Sequence, residues 1–267
     1  YIVLADLDYR APRDCYPKAK ELVERALEID VQLAEAQNTQ AYIKYSYEWN
    51  WAEAESGFKR AIELNPSYAT ARQWYSEYLC TLGRHDEAIQ ESQRAQELDP
   101  LAVMIHMNTG ILFYCAGRFD QAIEQCHKAL EIDDDFYLAL YYLAQSLKER
   151  SQYDEAFEGY VSMLQALGLD VEEMDRLRQI YDTSGLDGYY RWFVDEGFER
   201  LDAPEILRWQ FIVSCVYLGE MDLALDWLAR CVEERRRWVL DMGIEPAFAE
   251  LRSDSRFDDL LRQIGLE

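Results

Sequence analysis

The chain has 267 residues, 49% of them hydrophobic and 13% aromatic, which is material for a sizeable core and rules out a disordered chain. Lys and Arg number 27 against 51 Asp and Glu, and the resulting net charge of −24 repels phosphate backbones and anionic headgroups, arguing against direct nucleic-acid binding. With only 12 Gly and 6 Pro, no uninterrupted apolar run of membrane-spanning length and no signal-peptide pattern near Tyr1, the expectation is an all-α chain without membrane insertion.

In chain order, the first unit (1–33) reads as a truncated helical hairpin that begins Tyr1-Ile-Val-Leu-Ala-Asp6, without Met, in the middle of a helix. Its second helix closes with Ala26-Leu-Glu-Ile-Asp30. The same ending returns as Ala61-Ile-Glu-Leu-Asn65-Pro66, Ala95-Gln-Glu-Leu-Asp99-Pro100 and Ala129-Leu-Glu-Ile-Asp133, each a helix stop followed by the next helix start. Ala54, Ala88, Ala122 and Ala156 recur every 34 residues, and Ala224 falls two periods later. Ala61, Ala95 and Ala129 form a second small-residue track, and Gly83 and Gly117 lead through Ser151 to Gly185 and Gly219. Small residues seven apart share a helix face and let a neighbouring helix approach closely, while the Gly marks a turn. One period is therefore an antiparallel pair of helices of roughly 14 residues each.

The units that follow are 34–68, 69–102, 103–136, 137–170, 171–204 and 205–238, with a cap over 239–267, together one array from 1 to 267. The first interval, Ala19 to Ala54, is 35 residues and places a one-residue insertion in the turn Glu48-Trp49-Asn50-Trp51. In 171–204, Tyr190 and Gly197 take the two small-residue positions, which predicts looser or differently angled packing and a bend there. A single hairpin cannot bury its apolar face, so hairpins stack into a superhelix with a concave and a convex side.

These residues resemble the tetratricopeptide repeat (TPR): Leu82-Gly83, Asp86-Glu87-Ala88-Ile89, Ala95 and Leu98-Asp99-Pro100 in one copy, Gly110, Phe113, Gly117, Phe119-Asp120, Ala122-Ile123 and Ala129 in the next, Leu143-Ala144, Tyr153-Asp154-Glu155-Ala156 and Tyr160 in a third. The resemblance implies a right-handed superhelical solenoid of antiparallel hairpins and a non-catalytic protein-interaction domain. The stretch from Phe248 to Gly265, the Glu48-Trp-Asn-Trp51 turn, Gly185 to Trp192 and Ala224-Leu-Asp-Trp227 further resemble the C-terminal TPR arrays of bacterial multidomain regulators. In those proteins the output domain is a winged helix, a nucleotide cyclase or a Ser/Thr kinase.

No catalytic, cofactor or metal constellation emerges. His85, His106 and His127 fit no zinc pattern, and no Gly-rich phosphate loop or Gly-x-Ser-x-Gly is present. Ser56-Gly-Phe-Lys59 matches Ser-x-x-Lys but lies mid-helix without companion motifs, and Cys126 and His127 point about 100° apart on a helix, which prevents a nucleophile–base pair. Asp133-Asp134-Asp135 reads as the cap of the helix starting near Phe136, and Glu233-Glu-Arg-Arg-Arg237 as a dipole-complementing helix end or a docking patch. The six cysteines, Cys15, Cys80, Cys115, Cys126, Cys215 and Cys231, contain no Cys-x-x-Cys and read as packing residues of a reducing, cytoplasmic compartment; a transmembrane segment upstream would make it periplasmic.

If the hairpins stack as TPRs, the first helix of each unit lines the concave groove. That groove then comprises Asn38, Tyr42, Tyr45, Gln73, Trp74, Glu77, Met104, Met107, Asn108, Ile111, Tyr114, Leu138, Tyr141, Tyr142, Gln145, Trp209, Gln210 and Val213. About half are expected to face the groove and the rest to pack between hairpins. Tyr, Trp and carboxamide side chains suit a polypeptide segment, neutral or basic given the charge, including the chain's own output domain. The Lys and Arg of a carboxylate clamp are missing from these positions. The alternative is a sensor domain for a small molecule or peptide, and an enzyme ranks far below both.

Overall fold

The computed structural model describes residues 1–6, 10–197 and 205–266. Among them are fourteen α-helices and no strand. The chain divides into two compact units, Tyr1–Pro100 with Asp222–Glu267, and Leu101–Met221.

The first unit holds α1 (Ile2–Asp6), α2 (Pro12–Ile29), α3 (Ala34–Ile43), α4 (Trp51–Leu64), α5 (Ala69–Thr81) and α6 (His85–Leu98). In it α3 pairs with α4 and α5 with α6, and α2 packs on α3. The second holds α7 (Val103–Cys115), α8 (Phe119–Ile132), α9 (Tyr137–Glu149), α10 (Tyr153–Ala166), α11 (Val171–Trp192) and α12 (Glu205–Tyr217). Here α7 pairs with α8, α9 with α10, and α8 lies on α9. The helix α13 (Met221–Glu233) leads back into the first unit, followed by short 3₁₀ turns at Arg237–Asp241, Pro246–Phe248 and Leu251–Ser253 and by α14 (Ser255–Gln263).

The small-residue tracks are where paired helices touch. Ala54, Ala88, Ala122 and Ala156 have no exposed surface, nor do Ala61, Ala95 and Ala129, and the first helices carry buried small residues at Ala41, Ser76, Gly110 and Ala144. A Cβ placed on Gly57 would lie 2.8 Å from the Ala41 Cβ, and one on Gly159 3.0 Å from the Ala144 Cβ. Those contacts leave no room for a methyl group.

The turn inside each hairpin repeats with equal regularity. Trp49, Gly83, Gly117, Ser151, Gly185 and Gly219 follow one another every 34 residues, and all have positive φ, between 58° and 77°. After α5 the Gly83 amide bonds the Cys80 carbonyl and the Arg84 amide bonds the Leu79 carbonyl, the paired bonds of a left-handed helix stop. The bond from Arg84 to Leu79 spans five residues, as do those from Arg118 to Phe113, Gln152 to Leu147 and Glu220 to Cys215. In the α3–α4 hairpin the equivalent bond joins Asn50 to Lys44 and spans six, because the inserted residue widens Lys44–Glu48 into a π-helical turn. The widened turn runs into the Glu48–Trp51 segment and ends on the left-handed Trp49.

The second helices end on Asp30, Asn65, Asp99 and Asp133, each with φ near −140° and its amide bonded back to the alanine four residues earlier. Asp133 therefore terminates α8 rather than capping α9, whose N-cap is Phe136 without a side-chain bond. The 171–204 unit is also different from expectation. Tyr190, at a small-residue position, is fully buried, 4.2 Å from the Tyr217 ring and within reach of Tyr160 and Tyr189. An aromatic layer takes the place of close helix contact there, and the irregularity falls instead at Gly185, which breaks α11 (φ 61°, ψ −151°), and in the π turn Phe193–Gly197. The remainder of that unit, 198–204, lies outside the described residues.

Two substitutions separate turn strain from helix packing. Ser151→Gly relieves a left-handed non-glycine residue and should raise the urea midpoint by the equivalent of about 0.5–1 kcal/mol. Gly57→Ala gains about 1 kcal/mol of helix propensity but loses about 1–3 kcal/mol to overpacking against Ala41, so its midpoint should fall.

Candidate partner-binding face

Of the residues assigned to the groove, Trp74, Glu77 and Ile111 are half-buried and Met104 is 45% exposed. Asn38, Tyr42, Tyr45, Gln73, Met107, Asn108, Tyr114, Leu138, Tyr141, Tyr142, Gln145, Trp209, Gln210 and Val213 are buried, more than the expected half. The rings explain part of this. Tyr45 packs edge-on against Trp51, Phe58 and Tyr78, and its hydroxyl is 2.8 Å from the Thr81 Oγ1, so it belongs to the core between hairpins.

In the first unit the chain's own C-terminal segment covers the face of α3 and α5. The Arg237 guanidinium lies over the Tyr45 ring, 5.5 Å from its centroid. It donates to Asp241 Oδ2 at 2.8 Å and to Glu77 Oε2 at 3.4 Å. All three charged side chains are about 15% exposed. Beside them Asp6 accepts from the Tyr16 hydroxyl at 2.5 Å and the Tyr42 hydroxyl at 2.9 Å, and Ser46 donates to Tyr16. The Trp74 ring is tilted against Tyr42 with centroids 4.4 Å apart, and Gln73 donates to Glu77.

Burial governs the protonation of this cluster. It pushes the Glu77 carboxyl up to about 7, with Arg237 opposing the rise and Asp241 adding to it. Asp6 is likewise raised by burial, against the Tyr16 and Tyr42 hydroxyls and Arg237.

A second anchor lies beside the first. Arg235 has φ 54°, stacks 4.1 Å from the Trp49 centroid and donates to the Tyr47 carbonyl. The Trp51 indole donates to the Ile264 carbonyl at 2.9 Å, tying the end of α14 to the start of α4. The arginine run 235–237 is therefore not a helix-end dipole partner, since α13 already stops at Glu233, and all three guanidinia are engaged within the chain, Arg235 on Trp49, Arg236 with Glu234 and Arg237 with Asp241. Sequence reasoning missed Arg237, Asp241 and Asp6 as site residues. The local signal was Trp238-Val-Leu240 directly after the arginines, an apolar run that buries Val239 and Leu240 and draws Arg237 in with it.

In the second unit the inner faces of α9 and α12 meet through carboxamides. The Gln145 Nε2 donates to the Tyr141 hydroxyl at 2.8 Å and to Gln210 Oε1 at 3.4 Å, and Gln210 donates to Ser214 Oγ at 3.1 Å. All four are buried. The amides expected to bond an incoming peptide bond one another here.

None of the six cysteines forms a disulfide, and burial pushes the Cys126 and Cys215 thiols up to about 12. Lys59 of the Ser-x-x-Lys match pairs with Glu55 at 2.8 Å. Among the described residues no group of three or more His, Cys, Asp or Glu is placed to hold a metal ion, and no helix is long and apolar enough to cross a membrane.

The fold is thus an all-α helical repeat solenoid of antiparallel hairpins. Residues 49–103 and 107–168 match the tetratricopeptide repeat family. Among solved structures, pilF of Pseudomonas aeruginosa aligns over 94% of this chain and 91% of its own, with TM-score 0.54 and 17% identity. MamA aligns over 58% and 90% (TM-score 0.49, 19% identity). YrrB, described as a TPR protein with an unusual peptide-binding site, aligns over 61% and 84% (TM-score 0.48, 20% identity). No curated protein matches the chain. The family match and the pilF likeness support a TPR domain, and the TPR fold suggests a protein–protein interaction scaffold.

A carboxyl raised in the folded state stabilises fully below its unfolded value, near 4.5, and that contribution is lost as pH rises through about 7. Wild-type stability should therefore decline between about pH 4.5 and 7 by on the order of 1–3 kcal/mol from Glu77. In Glu77→Gln the decline, followed by urea unfolding at several pH values, should shrink to what Asp6 contributes.

Proposed function

We propose that this chain is a non-catalytic interaction and regulatory domain that binds a polypeptide segment at the α3–α5 face. The observation that carries the reading is Trp74, a half-buried indole braced on Tyr42 beside Gln73 and Glu77, which keeps accessible surface where its neighbours are covered. An aromatic platform rimmed by a carboxamide and a carboxyl offers contact area at low entropic cost together with polar orientation. The net charge of −24 favours a neutral or basic partner. The non-catalytic reading is supported by thiols held protonated at neutral pH. Six cysteines without a disulfide favour a reducing, cytoplasmic setting.

Selection from a library of twelve-residue peptides tests this. Selected binders should lose at least tenfold in affinity on Trp74→Ala, about 1.4 kcal/mol, with unchanged thermal unfolding. Unaltered affinity would remove the assignment. Tyr141→Ala is a poor probe by comparison, because Tyr141 is buried and accepts a bond from Gln145, so its loss reads out the stability of the second unit.

The resemblance to regulator arrays makes an output domain of the same polypeptide the favoured partner. A winged-helix, cyclase or kinase sequence encoded upstream of Tyr1 is the expected result, and a start codon within a few tens of residues would instead give a freestanding adaptor.

A further inference from the structure

The Arg237 cluster has the composition of a recognition site with its ligand already in place. Asp6, Glu77 and Asp241 supply three carboxyl groups around one guanidinium, and the Tyr45 ring supplies the face on which it rests. A planar cation stacked on an aromatic ring and bonded at its edge to two carboxylates is the standard arrangement for reading arginine, and a lysine ammonium satisfies only part of it. The occupant arrives on a segment joined to α13 through Arg235, a non-glycine residue with φ 54°. One turn along α3 from Tyr42, on the same face, Asn38 is fully buried beside the Tyr68 hydroxyl.

We infer that Arg237 occupies in cis a guanidinium seat on α3 and α5, so that the C-terminal segment is an autoinhibitory latch whose competitor is an arginine-bearing polypeptide. The inference rests on the reading of this face as a polypeptide-binding surface and specifies its ligand chemistry and its control. The latch adds its own contacts at Trp49 and Trp51, and an intramolecular occupant has a high effective concentration. Free arginine would therefore be a poor competitor, whereas a peptide that also engages Trp74 has the additional contacts to displace it.

The full chain serves for the test. Hydrogen–deuterium exchange on wild type, Arg237→Ala and the milder Arg237→Lys should show amides of 239–242 and 257–264 exchanging at least tenfold faster in the variants. Those of α4 and α6 should stay protected. Uniform acceleration through α3–α6 in both variants, or no change in Arg237→Ala, would overturn the latch. A twelve-residue peptide with three arginines in a Gly-Ser background, and its lysine counterpart, are then titrated against both proteins. The arginine peptide should bind Arg237→Ala at least tenfold more tightly than wild type, and more tightly than the lysine peptide does. Equal affinity for wild type and variant, or equal affinity of the two peptides, removes the guanidinium seat. Such a failure leaves the Trp74 library experiment intact, so the two readings fail separately.

Discussion

Close approach of two helices at a buried small residue is the contact on which the rest of this structure depends. Ala54 to Ala156 and Ala61 to Ala129 have no exposed surface, and Gly57 and Gly159 come so near Ala41 and Ala144 that a methyl group has no room. Dispersion contacts at that distance fix both the separation and the rotation of the paired helices, because ridges of side chains on one helix must fall into grooves of the other. Once the rotation is set, the faces bearing Tyr42, Tyr45 and Trp74 are set with it. The left-handed residue every 34 positions then closes each hairpin at the same step of the helix, even where Trp49 and Ser151 take the conformation glycine adopts freely.

The inner faces of the two units are built from different chemistry. In the second, the carboxamides of Gln145 on α9 and Gln210 on α12 and the Tyr141 hydroxyl form a neutral network in which the buried Gln145 Oε1 has no partner. In the first, charged groups are withdrawn from water, which is tolerated because each has partners: Asp6 two phenol hydroxyls, Arg237 two carboxylates and a ring. A buried ion pair adds little net stability over an apolar one, but losing one member leaves an uncompensated charge. The cluster therefore works as a specific closure more than as a source of cohesion, and Glu77, raised to about 7, is the member whose charge changes most readily.

The aromatic content serves the same ends. Trp51, Phe58 and Tyr78 meet Tyr45 edge-to-face between the α3–α4 and α5–α6 hairpins, and Tyr160, Tyr189, Tyr190 and Tyr217 form another cluster around α10 and α11. In the second cluster the rings occupy space that Ala fills elsewhere, which is how a repeat lacking its small residue remains packed. Tyr is suited to both tasks, offering a large apolar ring and a hydroxyl that finds a partner when buried.

The hairpins, their turns and their close contacts were legible in the sequence because they are local and periodic. A period of 34, small residues on one helix face and a stop after Ala-Leu-Glu-Ile-Asp need only neighbouring residues to be read. The packing role of the cysteines followed from the same inward positions. Only the tertiary structure decided what covers those faces. Arg237 lies 160 positions from Glu77 and Trp51 213 from Ile264, and no periodic signal links residues so far apart when each belongs to a different kind of element. For the same reason a groove-facing aromatic and a core aromatic looked alike at helical spacing: Tyr45 and Trp74 both fall on the inner side by residue count, and burial depends on which distant segment returns to them.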